Sequence, residues 1–210
     1  MPIQIAPLTL LAALLLLAAP AGAQQAGRFE LDAAIGYRFG GGADVEAEGA
    51  EGRVTLSDEV AFTAIAGYRV QPNGTVYLNY TRQVSTLRYL SDDLKTTGEE
   101  PFSTDVVNFG GSLELPRGRV VPYMGFSIGA TRFASLDLGY DSWAFSMALD
   151  GGVRVDITEW LHLRFLGRIP MTFVTSEAGA FCVSPVGCVI LVSGGPIVQG
   201  EVYAGFGFTF

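Results

Sequence analysis

The chain of 210 residues has one histidine and two cysteines, so its scope for acid–base, nucleophilic and metal chemistry is set by where those three stand. His162 lies two residues after Trp160 and two before Arg164. A catalytic role would need a Ser or an acid beside it, and a Ser or Cys nucleophile elsewhere has no second histidine to serve it. Cys182 and Cys188 bracket the pentapeptide VSPVG. In an exported chain they are expected to form a local disulfide, worth about 2 kcal/mol at most for so small a loop. The rival, a thiolate metal pair, lacks a neighbouring His or further Cys to complete the site. Phe181, Val189, Ile190, Leu191 and Val192 beside them form an apolar stretch that could cap a cavity or receive an apolar ligand.

Charged groups fall into two sets. Asp44, Glu46, Glu48 and Glu51, then Asp92, Asp93, Glu99 and Glu100, then Asp137 and Asp141, crowd separate stretches. They read as a solvated, repulsive surface, or as oxygen ligands for divalent cations bridging to phosphates of a neighbouring surface. The other set is spaced at alternate positions inside apolar stretches: Glu30, Asp32, Glu114, Asp150 and Glu201 against Arg38, Arg69, Arg154, Arg164 and Arg168. Buried charge is costly unless paired, so this balance suits a closed, internally paired space. The net charge of −8 leaves no basic surface for nucleic acid.

The elements that must position the second set are strands. In RFELDAAIGYRF, Phe29, Leu31, Ala33, Ile35 and Tyr37 share one parity, and Glu30, Asp32 and Arg38 the other. AFTAIAGYRV, TVYLNYTRQV, NFGGSLEL, PYMGFSIGATRF, SWAFSMALDGGVRV, WLHLRFLGRIPMTF and EVYAGFGFTF alternate likewise, giving about eight strands. Long connections (GGADVEAEGAEGR, YLSDDLKTTGEEPFS, ASLDLGYD and a stretch over 174–196) alternate with the tight turns QPNG, LPRGR and DITE. Transmembrane barrels show that asymmetry between their two ends. A soluble barrel or sandwich would hide the apolar parity and wet the charged one. Glycines on the charged parity, such as Gly36, Gly125 and Gly207, would have little purpose there, whereas Trp143 and Trp160 near opposite strand ends match interfacial aromatic girdles. Residues 1–23 read as a signal peptide, with an apolar run over 8–19 and Ala21-Gly22-Ala23 as cleavage site, leaving 24–210 as the mature barrel domain.

The terminus EVYAGFGFTF, with Phe206, Phe208 and Phe210 on one parity, resembles the C-terminal insertion signal of bacterial outer-membrane proteins. The mature chain resembles the small eight-stranded barrels of the OmpA, OmpX and OmpW type. More narrowly, RVVPYMGFSIGATRF, GGVRVDITEWLHLRFLGR and FCVSPVGCVILVSG look like a family of outer-membrane β-barrel domain proteins without a defined biochemical role. The resemblance implies an eight-stranded antiparallel transmembrane β-barrel, an up-and-down meander in the outer membrane with both termini periplasmic. It also implies as partners the barrel-assembly machinery, outer-membrane lipid and lipopolysaccharide. Arg82 departs, because it falls on the lipid parity of its strand; a bulge or a strand end is expected there.

These readings converge on a monomeric, non-enzymatic barrel without cofactor or metal. Its expected role is envelope structure or surface interaction, with the lumen plugged by the ten alternating charges. Passage or binding of small hydrophobic molecules through the outer loops is the alternative, and an outer-leaflet lipid-modifying enzyme comes third.

Overall fold

The computed structural model describes residues 29–47, 50–91, 97–115, 118–136, 141–174, 180–183, 187–190 and 196–210. The leader expected over 1–23 lies outside them. Every regular element among them is a strand: β1 (Phe29–Phe39), β2 (Gly42–Ala47), β3 (Ala50–Leu56), β4 (Glu59–Gln71), β5 (Gly74–Ser91), β6 (Thr97–Glu114), β7 (Val120–Ser135), β8 (Asp141–Asp156), β9 (Leu161–Phe173), β10 (Ala180–Val183), β11 (Gly187–Ile190), β12 (Pro196–Val198) and β13 (Gly200–Thr209). Eight of these, β1, β4, β5, β6, β7, β8, β9 and β13, each pair antiparallel with the next, and β13 closes on β1. Closure leaves no strand edge, which is the condition for a β-structure to cross hydrocarbon.

Register fixes the size of the barrel. Following partners from Leu161 through Phe208, Leu31, Ala66, Leu78, Phe109, Ile128 and Met147 returns to β9 at Met171, ten residues on. With strands about 4.8 Å apart and rising about 3.3 Å per residue, that stagger tilts them by about 40° and sets a backbone radius of about 8 Å. Ten tilted residues climb about 25 Å, the height of an apolar transmembrane band.

The period of two sorts side chains as the sequence predicts. Leu31, Phe62, Leu78, Phe109, Phe126, Phe165 and Phe206 face outward and are exposed, whereas Ile65, Tyr77, Tyr123, Leu166 and Tyr203 pack inside. Trp143 and Trp160 also face outward, near opposite ends. Trp160 stacks on Phe208, with ring centroids 6.0 Å apart and planes 4° from parallel.

The strands outlast the alternation. β5 and β6 stay paired from Gly74↔Leu113 to Leu90↔Thr97, and β3 extends the line of β4 along the far end of β5. Part of the first two stretches read as loops is therefore hairpin standing above the belt, where water on both sides removes any need for an apolar face. Beside it, β12 and β13 continue one line on β9, interrupted opposite Pro170, which has no N–H to give to a ladder. The Gln199 N–H donates there to Pro170 O at 3.1 Å. The end with the added hairpins is the outer one, since short turns belong to the periplasm.

Candidate functional site

The inward parity builds two charged tiers joined by tyrosines. In the lower tier, near the periplasmic end, Glu30 Oε1 accepts from Arg154 Nη1 at 2.9 Å and from Arg69 Nη2, and Glu30 Oε2 accepts from Arg164 Nη2 at 3.2 Å. Arg154 also donates to Glu114 Oε1 at 3.1 Å and to Asp156 Oδ1 at 3.0 Å. Asp32 Oδ1 accepts from Arg164 Nε at 2.9 Å and lies 2.7 Å from His162 Nε2. The strand between them makes this contact possible, because Gly207 is register partner to both Asp32 and His162. A Cβ on Gly207 would overlap Asp32 Oδ1 and His162 Nε2.

In the upper tier Glu201 pairs with both of its register neighbours. Arg38 Nε donates to Glu201 Oε1 at 2.6 Å, and Arg168 Nη1 stands 3.6 Å from Glu201 Oε2. Arg168 also donates to Thr81 Oγ1 at 3.1 Å and Asn79 Oδ1 at 3.0 Å, and the Thr63 hydroxyl donates to Asn79 Oδ1 at 2.7 Å. Between the tiers, Tyr123 lies under the Arg164 guanidinium, 4.9 Å from ring centroid to Cζ. The Tyr77 hydroxyl donates to Asp150. Farther toward the outer end, β6, β7, β8 and β9 contribute a neutral cluster: Thr131 faces Thr172 across 3.0 Å, and Ser146 donates to Asn108 at 3.0 Å.

The ten charges singled out by alternation thus all point inward, and nine of them meet in ion pairs. Asp150 differs, taking a tyrosine as its donor although Arg168 is its register neighbour. Sequence reasoning missed Tyr77, Tyr123, Asn79 and Thr81 as partners, because neutral residues on the inner parity carry no signal until register brings them beside an ion. Glu30, Glu201 and Arg38 are each at most 2 % exposed, so these ions depend on one another rather than on water.

What the arrangement can do chemically is limited. Ligand atoms of Glu30, Asp32 and His162 lie within 4.8 Å of one another. Arg69, Arg154 and Arg164 already bond these carboxylates, and a cation entering would meet their positive charge. His162 Nδ1 stands 3.4 Å from Thr209 Oγ1, which aligns a hydroxyl, an imidazole and a carboxylate, but with the weakest link at the hydroxyl. Between the tiers a cavity of about 10 Å³, lined by Ile65, Tyr77, Tyr123, Asp150, Arg164 and Arg168 among others, has room for one water at most. At the periplasmic mouth a recess of about 540 Å³ is lined by Arg69, Arg119, Arg154, Asp156, His162 and Thr209 among others.

The remaining expectations divide. Phe206 and Phe208 lie on the outward parity of β13, and Phe210 N donates to Phe29 O at 2.9 Å, so the two ends of the described barrel meet. Cys182 and Cys188 are register partners in the hairpin of β10 and β11; their side chains lie outside what is described. Arg82 needs correction. There is neither bulge nor strand end at it, since β5 runs on to Ser91 with Arg82 in register with Phe62 on one side and Asp105 on the other. The charge is accommodated by a charged neighbour, with Arg82 Nη1 3.6 Å from Asp105 Oδ1.

The fold has known counterparts. Neisserial surface protein A (NspA) superposes with a TM-score of 0.56 at 17% identity, over 89% of this chain and 100% of its own. OprG, an outer membrane protein of Pseudomonas aeruginosa, does so with a TM-score of 0.58 at 14% identity, over 89% and 97%. At such identities the likeness is one of fold. No curated protein matches the sequence. Residues 9–170 do match the family described as outer membrane protein beta-barrel domain, and the chain, an eight-stranded barrel of the bacterial outer membrane surrounded by its lipids, belongs to that family.

Proposed function

We propose that the protein is a closed barrel with an envelope-structural or surface-interaction role, its lumen plugged by the charged tiers and its outer hairpins the surface offered to partners. The continuity of Glu30, Asp32, Glu114, Arg154 and Arg164 across the lower lumen carries this reading. A barrel with a backbone radius of about 8 Å is filled by side chains alone, and here those side chains are tied to one another. The role is non-enzymatic, a reading supported by the position of His162: it is enclosed, held by Asp32 and sited at the periplasmic end, away from outer-leaflet substrates.

The test is conductance. Reconstituted in planar bilayers, the protein should give no stable channel steps, and Arg164→Ala should introduce leakage. Porin-sized steps from the wild type would overturn the plug and bring forward passage of small molecules.

A further inference from the structure

The outer wall carries a second set of charges, where lipid rather than lumen is the neighbour. Arg82 on β5, Asp105 on β6 and Arg132 on β7 are successive register partners, and the next in line is Trp143 on β8. All four fall on the outward parity: below them on the same strands Leu78, Phe109, Ile128 and Phe145 face the membrane. The row replaces the apolar belt near its outer end, and Trp143 marks the level, because exposed tryptophan gathers where hydrocarbon meets headgroups.

The one acid in the row, Asp105, is turned away, and both guanidiniums are presented. Asp105 accepts from the Tyr80 hydroxyl at 2.7 Å and its side chain is 10% exposed, against 51% for Arg82. Arg132 directs Nε and Nη2, at 3.0 Å and 2.9 Å, to one oxygen of Asp141, which lies outside the row and is itself 50% exposed, and Arg132 remains 40% exposed. These contacts hold both arginines at the wall, and neither absorbs all five donors of a guanidinium. One strand separates them, two strand spacings or about 10 Å between backbones, so two side chains of arginine length can converge on one anion. Planar forked donors are matched to phosphate oxygens, and a site facing lipid at headgroup depth meets phosphate on lipids.

We propose that Arg82 and Arg132 form a docking site for a phosphate group of the outer-leaflet glycolipid, with Trp143 beside its sugar and Tyr80 holding Asp105 out of its way. The site stands apart from the plugged lumen.

Native mass spectrometry of the folded protein, released from detergent with bisphosphorylated lipid A, tests this. Lipid A should be retained, the same lipid stripped of phosphate should not, and Arg82→Gln/Arg132→Gln should weaken retention by about tenfold or more, as expected for losing charge-assisted bonds. Asp141→Asn, which frees Arg132, should strengthen it. Heat-modifiable migration on gels checks that each variant is folded; should the double glutamine variant fail that check, Arg82→Lys/Arg132→Lys, which keeps charge and loses the fork, should show intermediate retention. Equal retention of the dephosphorylated lipid, an unchanged affinity in the folded glutamine or lysine variant, weaker binding by Asp141→Asn, or displacement by inorganic phosphate at concentrations matched to the lipid would each overturn the proposal, the last by making the site one for free anions.

Discussion

Replacing Arg164 by alanine isolates the energetic meaning of the lumen network. Its guanidinium bonds Asp32 at 2.9 Å and Glu30 at 3.2 Å and covers Tyr123, with its own side chain 10% exposed. Removing one partner of a buried ion pair costs about 3–5 kcal/mol, most of it the penalty on the charge left behind. Glu30 keeps Arg69 and Arg154, whereas Asp32 keeps the contact with His162. The low end of the range therefore applies, and the lost contact with Tyr123 adds about 0.5–1 kcal/mol. A total of about 3–4 kcal/mol corresponds to a shift of about 1 M in the guanidinium midpoint for a protein of this size. Tryptophan fluorescence of Trp143 and Trp160 during unfolding from lipid vesicles reads that shift. Arg164→Ala/Asp32→Asn should recover half or more of it, since the stranded charge is gone. A loss below about 1 kcal/mol, or no recovery in the double variant, would refute the view that these ions are held by mutual pairing in a dry interior.

Gly207→Ala places a methyl between Asp32 and His162, overlapping both, and should lower stability by about 1–3 kcal/mol, the range for overpacking; Gly111→Ala, whose methyl would meet nothing closer than 3.7 Å, should leave the midpoint of the same unfolding assay close to the wild-type value. Cys182 and Cys188 are register partners across a two-stranded hairpin, and peptide mapping of the exported protein without reductant should find them in one linked peptide; two separately alkylated cysteines would rule out the disulfide.

The barrel and the sidedness of its residues were legible in the sequence because a period of two is a one-dimensional signal: knowing that Leu31 faces out is enough to turn Glu30 and Asp32 in. Partnership was not legible, because it depends on register. Arg38 meets Glu201 across 163 residues, and only the ten-residue stagger determines that the tier of Glu30 lies level with Arg154 and Arg164 rather than with Arg168. The same blindness made Arg82 look like an irregularity. On its own strand it is a lone charge on an apolar face; across the sheet it stands next to Asp105 and Arg132. Strand ends were hidden for a further reason, since above the membrane the pairing of β5 with β6 persists while the hydropathic pattern that revealed it stops.

The closing seam has a kinetic consequence. Arg38 to Glu201, Arg154 to Glu30, and His162 and Arg164 to Asp32 join positions 163, 124, 130 and 132 residues apart, so most of the lumen network links the first strand to the last three. None of these bonds can exist while the sheet is still open; Glu30 can pair early with Arg69 of the adjacent β4, whereas Asp32 gains its partners only when β9 arrives. Interactions that appear only after the rate-limiting assembly do little to hasten it and act instead to retard its reversal. The network is therefore a latch: the destabilisation of Arg164→Ala belongs to the unfolding rate, and the wild-type barrel owes to its charged interior a long lifetime more than a fast assembly.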